Sequence, residues 1–239
     1  MIASDQPTIF GSAVKAAISS KDDGNMKYGI GDDGEIEKNR RLFLDKVGIS
    51  IDHTTLVGIT YATDDFAKYR IVKPSEKTIG MHTMENVEHA DALVVEQPGH
   101  ALFLPLADCV GAVLYDDDHH VLMVSHIGRH SAEVGGARRS VEFLVEHYGS
   151  DPATLKVWLS PGVGKESYPL YKFESKSLHE VITEQLAEAG VQLAHVENSH
   201  INTATSDDYF SHSEYLKGNE EQGRFAIVAE MCEQGEPAF

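Results

Sequence analysis

The sequence predicts an α+β fold, with mixed or antiparallel β-sheets flanked by helices. Three observations predict it. Short strand-like runs outnumber helical stretches. Several of these runs follow one another with only a turn between them, which departs from a strict βαβ alternation. Three long stretches carry apolar residues at helical spacing and supply the flanking helices.

The elements follow in order. Thr8 to Ile18 reads as a short strand and helix, and Ser20 to Asp33 as a polar loop rich in Gly and Asp. Glu35 to Val47 places Ile36, Leu42, Phe43 and Val47 on one side of a helix, with Gly48 as its stop. Leu56 to Tyr61 is a strand, and Tyr69 to Val72 a short candidate strand. Ala90 to Val95 is a strand that ends at the Gln97-Pro98-Gly99 turn. His100 to Leu106, Cys109 to Tyr115 and Val121 to Ser125 are three further strands, the last two joined by Asp116-Asp-Asp-His-His120. Ser131 to His147 is the clearest helix, with Val134, Ala137, Val141, Leu144 and Val145 recurring. Leu155 to Leu159 is a strand, Pro161 to Gly164 a tight loop, and Ser175 to Ala189 a helix ending at Gly190. Gln192 to Val196 and Arg224 to Glu230 are the remaining strands. No linker divides the chain, so one domain over 1–239 is expected.

Composition excludes several function classes. Lys and Arg number 20 against 38 Asp and Glu, a formal net charge of −18. Such a surface repels phosphate backbones and anionic lipid, so no nucleic-acid or membrane partner is expected. No apolar run approaches the roughly 20 residues that span a bilayer. The first residues, Met1-Ile-Ala-Ser-Asp-Gln-Pro7, lack a basic stretch followed by an apolar core. Only Cys109 and Cys232 occur. Two thiols so far apart suit a reducing cytoplasm better than a disulfide framework.

The chemistry concentrates on Cys109 and His126. Each ends a strand-like run, and the aspartate-rich turn lies between the two runs. If the strands pair through that turn, a thiol and an imidazole meet at one sheet edge. That pair could bind a soft metal, form a thiolate nucleophile, or be an inert Cys beside a hydrogen-bonded His. Asp116-Asp117-Asp118 reads as a solvated turn, because adjacent carboxylates diverge. Pro161-Gly-Val-Gly164 could cradle a phosphate on backbone N–H groups, but lacks the Lys-Ser/Thr of a P-loop.

Four stretches resemble the YfiH-type laccase-domain family. They are Lys38-Asn39-Arg40-Arg41-Leu42 with Val47-Gly48-Ile49; Ala90-Asp91-Ala92-Leu93-Val94 with Pro98-Gly99 and Ala107-Asp108-Cys109; Ser125-His126-Ile127-Gly128; and Ser160-Pro161-Gly162-Val163-Gly164 with Tyr168. Tyr209-Phe210-Ser211 and Gly223-Arg224-Phe225-Ala226 extend the resemblance, which runs from about Gly29 to Val228. It implies the YfiH-like, cysteine-hydrolase-like fold and an enzyme acting on a small nucleoside-like substrate. Members carry the polyphenol oxidase name and are credited with purine nucleoside phosphorylase and adenosine deaminase activities. It also implies a zinc cofactor held by two His and one Cys.

Two of those ligands fall on Cys109 and His126, and the first falls on Ala62, which cannot bind metal. His82 is the leading candidate to complete the set, and His130 the next. The resemblance places Arg224, with the shifted Arg129, on substrate phosphate. Arg129-His130 stands where the family has Trp-Arg, Glu166-Ser167 where it has paired Cys, and Ser213-Glu214 where it has two Arg. Three readings follow. One is a divergent zinc enzyme that phosphorolyses or deaminates purine nucleosides. The second is a metal-free cysteine hydrolase using Cys109 and His126. The third is a binding protein on the same fold.

Overall fold

The computed structural model describes residues 1–233. Its elements are β1 (Val14–Ile18), α1 (Asp33–Lys46), β2 (Thr54–Leu56), β3 (Tyr69–Ile71), β4 (Ala92–Val95), β5 (Ala101–Leu106), β6 (Val110–Asp116) and β7 (Val121–Ile127), then α2 (Arg129–Glu133), α3 (Gly136–Tyr148), β8 (Lys156–Leu159), α4 (Leu178–Glu188), β9 (Val196–Asn198), α5 (His212–Lys217) and β10 (Phe225–Met231). The strands form two sheets. One has the order β1-β10-β5-β2 and the other β3-β4-β7-β6-β8-β9. Both are mixed. β2 runs parallel to β5, β3 to β4 and β8 to β9, while the other pairs are antiparallel. This is the expected α+β class.

The layering follows from side-chain alternation along each strand. In β5, Leu102 and Leu104 face the six-stranded sheet, where they meet Leu93, Val113, Leu122, Val124 and Trp158. Ala101 and Phe103 face the other way, toward Phe43 and Leu44 of α1. β10 splits the same way, with Ile227 inward and Ala226 and Val228 toward α1. The outer face of the six-stranded sheet is covered by Val141 and Leu144 of α3 and by Val181, Ile182 and Leu186 of α4. Strands buried on both faces explain why their sequences read as continuous apolar runs.

Several boundaries differ from the sequence reading for local reasons. The helix expected over Ser131 to His147 is two helices, broken at Gly135 with φ +79°. No helix follows Thr8, where turns lead straight into β1. β2 is only three residues long, and Ile59 to Tyr61 leave the sheet toward a cavity. The strand expected at Gln192 to Val196 is a 3-10 turn followed by β9, and α5 was not foreseen. No helix among the described residues is long and apolar enough to cross a membrane.

Candidate functional site

β6 and β7 pair as a hairpin through the aspartate-rich turn, with Gly111 opposite His126 and Val110 opposite Ile127. Continuing that register sets Cys109 against Gly128. Each reactive residue thus has a glycine opposite it; Ile227 and Leu106 fill the space beside Gly111, while Gly128 leaves room for the Cys109 sulfur. A Cβ on Gly128 would lie 2.8 Å from the Cys109 sulfur and 3.7 Å from His126 Nε2, so both atoms border one small space. That space is the floor of a cavity of ≈ 430 Å³ at the seam between the sheets. Small-molecule sites commonly span about 300–1,000 Å³.

Cys109 is placed by strain. Asp108, just before it, has φ +78°, a left-handed conformation uncommon outside glycine. Two contacts hold it there. Its Oδ1 accepts from the Thr203 hydroxyl at 2.8 Å, and its Oδ2 from the backbone N–H of Ser213 at 2.6 Å. The sharp corner frees Cys109 from the strand and ties the segment carrying His212 over the cavity. A regular strand would have sent Asp108 to the opposite face from Cys109.

Tyr61 is the third member of the cluster. Its hydroxyl lies 3.8 Å from the Cys109 sulfur, and its ring stands edge-on to His126, with centroids 6.3 Å apart. His130 stacks on Phe66 at 4.6 Å and accepts a hydrogen bond from Arg129 Nη2 at 3.1 Å, at the cavity rim.

The electrostatics keep this cluster neutral. Burial pushes the Cys109 thiol up to about 11, although hydrogen bonding to Tyr61 works the other way. Burial, with a smaller contribution from Lys27, lowers His126 to about 4. Its buried Nδ1 has no hydrogen-bond partner among the described residues. Cys109 as a potential charge, and then burial, hold the Tyr61 phenol above its ordinary range. A thiolate–imidazolium pair of the cysteine-hydrolase kind needs the opposite environment.

His82 does not join Cys109 and His126. It sits beside α1, where Nδ1 pairs with Glu37 at 2.8 Å and Nε2 with Asp52 at 3.2 Å. Two carboxylates hold it there, so it is not the missing metal ligand. Among the described residues no three His, Cys, Asp or Glu side chains are placed to hold a metal ion. Catalytic zinc takes three protein ligands. The chain offers a thiol, an imidazole and, at the third place, a phenol. That donor set does not fit the zinc site the resemblance implies.

Arg224 and Arg129 both line the cavity. Lys27 and His212 line it too and carried no local signal in the sequence. The lysine is aimed by its neighbours. Met26 and Tyr28 are buried on either side of it, and Arg40 fixes both. Arg40 Nε donates to the Met26 carbonyl at 2.8 Å, and its guanidinium lies over the Tyr28 ring at 4.2 Å. The Pro161–Gly164 loop makes no phosphate cradle. Gly162, Val163 and Gly164 donate their N–H groups to the Ile201 carbonyl, the Asp108 carbonyl and Asn202 Oδ1. The Asp116 carboxylate is likewise occupied within its own turn, by the Asp118 and His119 N–H groups and the His119 ring.

Comparison with known proteins agrees with this architecture. The family model described as multi-copper polyphenol oxidoreductase laccase matches residues 13–175, and the chain belongs to that family. Solved structures show the same fold. The chain superposes on YfiH of Bacillus licheniformis with a TM-score of 0.82 at 18% identity, covering 91% of this chain and 92% of that one. For YlmD of Geobacillus stearothermophilus the values are 0.83 and 19%, over 95% and 94%. A protein named purine nucleoside phosphorylase from Corynebacterium glutamicum is 28% identical over 145 residues, 60% of this chain and 55% of that protein. One of the same name from Mus musculus is 28% identical over 111 residues, 46% of this chain and 26% of that protein. The matched region thus spans about half the length of the first relative and about a quarter of the second.

Proposed function

We propose that the cavity binds a purine nucleoside and cleaves its N-glycosidic bond with phosphate. The observation that carries this reading is the lining of one cavity. In a chain of net charge −18, Lys27, Arg129 and Arg224 converge on it, together with Cys109, His126, Tyr61 and apolar walls at Leu170 and Leu178. The two relatives named purine nucleoside phosphorylases support the same chemistry.

In this reading a phosphate oxygen bonds to C1′ of the ribose as the bond from C1′ to the purine nitrogen breaks. The bonding electrons leave with the base, which takes up a proton. The cations hold the phosphate, and its charge stabilises the positive sugar as the bond lengthens. The Cys109 S–H and Tyr61 O–H stay protonated at neutral pH and can hydrogen-bond the departing base. His126 Nε2, the ring nitrogen that borders the cavity floor, can pair with a sugar hydroxyl or a water. Deamination needs an activated hydroxide, which a metal would supply. The donor set here is one ligand short of that, so phosphorolysis is the better fit.

The test is incubation with adenosine, inosine or guanosine, with and without phosphate, followed by mass spectrometry. Free base and ribose 1-phosphate are expected only with phosphate, with strong loss in Cys109→Ala and Arg224→Met. Absence of nucleoside binding and of turnover would sink the reading.

A further inference from the structure

Lys27 and Arg224 lie far apart in sequence yet are held side by side by one residue. The Asn25 carboxamide oxygen accepts from the Lys27 N–H at 3.1 Å and from the Arg224 N–H at 2.9 Å. The Met26 N–H closes the junction on the Arg224 carbonyl at 2.9 Å. Asn25 Nδ2 donates in turn to the carbonyls of Lys27 and Ile30. The backbones are therefore locked together, and both side chains line the same cavity.

Neither cation forms an ion pair among the described residues. The cavity has one carboxylate, Asp108, and both its oxygens are taken by Thr203 and Ser213. Arg224 Nη1 donates to the Gly223 carbonyl, which leaves its other N–H groups available. His212 borders the same wall with a buried Nδ1 that has no hydrogen-bond partner among the described residues. Burial lowers the proton affinity of both cations. Burial and then Arg224 act on Lys27, and burial acts on Arg224. Placing two cations together in a molecule with 38 acidic residues, without giving them a carboxylate, leaves their charge for a ligand.

We propose that Lys27 and Arg224, pinned together by Asn25, form a subsite for one tetrahedral dianion of the phosphate type beside Cys109. The ammonium supplies a compact charge, and the guanidinium supplies the planar fork that suits phosphate oxygens. Arg129 stands apart from this pair, beside His130 at the rim. The proposal deepens the phosphorolysis reading and rests on it for the use made of the anion. The dianion is either inorganic phosphate or the phosphate ester of a nucleotide.

Calorimetric titration with inorganic phosphate, sulfate, acetate and adenosine 5′-monophosphate tests this on the whole chain. Phosphate and sulfate are expected to bind, and acetate at least tenfold more weakly. Lys27→Met should weaken phosphate binding by about tenfold or more, as expected for a lost charged hydrogen bond. Lys27→Arg should restore most of it, and Lys165→Met, in a separate cleft, should change nothing. Among the described residues only the backbone of Lys27 makes hydrogen bonds, so its variants are expected to fold, which thermal melts check.

Phosphate affinity that is unchanged in both Lys27→Met and Arg224→Met overturns the subsite. So does a wild type that takes up no phosphate at millimolar concentration while still binding nucleoside; the nucleoside reading then survives without this subsite. Lys27-dependent phosphate binding with no nucleoside binding or cleavage upholds the subsite and removes the phosphorolysis reading. Nucleotide binding far tighter than phosphate, and equally Lys27-dependent, upholds the subsite and identifies the ester as its source.

Discussion

Gly128 is what gives the Cys109 sulfur its space, because a methyl group at that position would sit 2.8 Å from it. The backbone there is extended, with φ −102°, so alanine meets no conformational penalty and only the cavity floor is disturbed. Gly128→Ala is expected to weaken nucleoside binding by about tenfold or more while shifting the melting temperature little. Titration of wild type and variant, with circular dichroism as the folding check, measures this. Undiminished binding would place the ligand elsewhere in the cavity.

Cys109 should be slow to alkylate at neutral pH. Its thiol is held up to about 11, against an ordinary 9.0, chiefly by burial. Labelling with iodoacetamide, followed by peptide mass spectrometry, is expected to rise steeply only above pH 9. Tyr61→Phe removes a hydrogen bond that favours the thiolate, so its profile should move further up. The same difference affects stability. Between about 9 and 11 the unfolded thiol loses its proton first, so the folded state holds more protons and stability falls as pH rises. Rapid labelling at pH 7 would revive the cysteine-hydrolase reading.

Metal content separates the present site from a complete zinc site. Purified and dialysed protein is expected to hold clearly less than one zinc per chain, because only two conventional ligands converge. His82→Ala should leave that content unchanged, since His82 is engaged by Glu37 and Asp52. Mass-spectrometric metal analysis decides the matter. One tightly bound zinc per chain would contradict the donor-set argument.

Asp108 is a positioning residue for Cys109 and for the segment that includes Ser213. Asp108→Ala loses two hydrogen bonds and keeps a Cβ at positive φ, so a loss of about 1–3 kcal/mol is expected. Asp108→Asn tolerates the left-handed backbone and retains an acceptor, so it should recover part of that loss. Urea denaturation of the two variants measures the difference. Equal stability would show that the corner does not depend on the carboxylate.

Much of this molecule was legible in the sequence. The β6–β7 hairpin follows from two apolar runs and a turn of aspartates, and it brings Cys109 and His126 to one floor, as the spacing suggested. α1 and α4 follow from apolar periodicity. The parts that were not legible depend on contacts between distant segments. Lys27 sits in a polar loop with no pattern of its own, and only Asn25 and Arg40 give it a direction. Asp108 falls between two expected strands, and nothing in its local sequence marks its turn to positive φ. Tyr61 was passed over because the resemblance put the metal position on Ala62, one residue further along. His82 looked available because pairing with Glu37 and Asp52 leaves no mark on its local sequence.

The four-stranded sheet has a consequence for how the chain is made. Its β10 lies between β1 and β5, and Arg224 stands immediately before it. While the ribosome is still producing residues before 224, β1 and β5 have no strand between them and the cavity lacks the Arg224 guanidinium. One late segment therefore supplies both the middle of a sheet and an arm of the pocket. A nascent chain stalled short of it would leave β1 and β5 unpaired along those edges and hold an anion with one cation fewer.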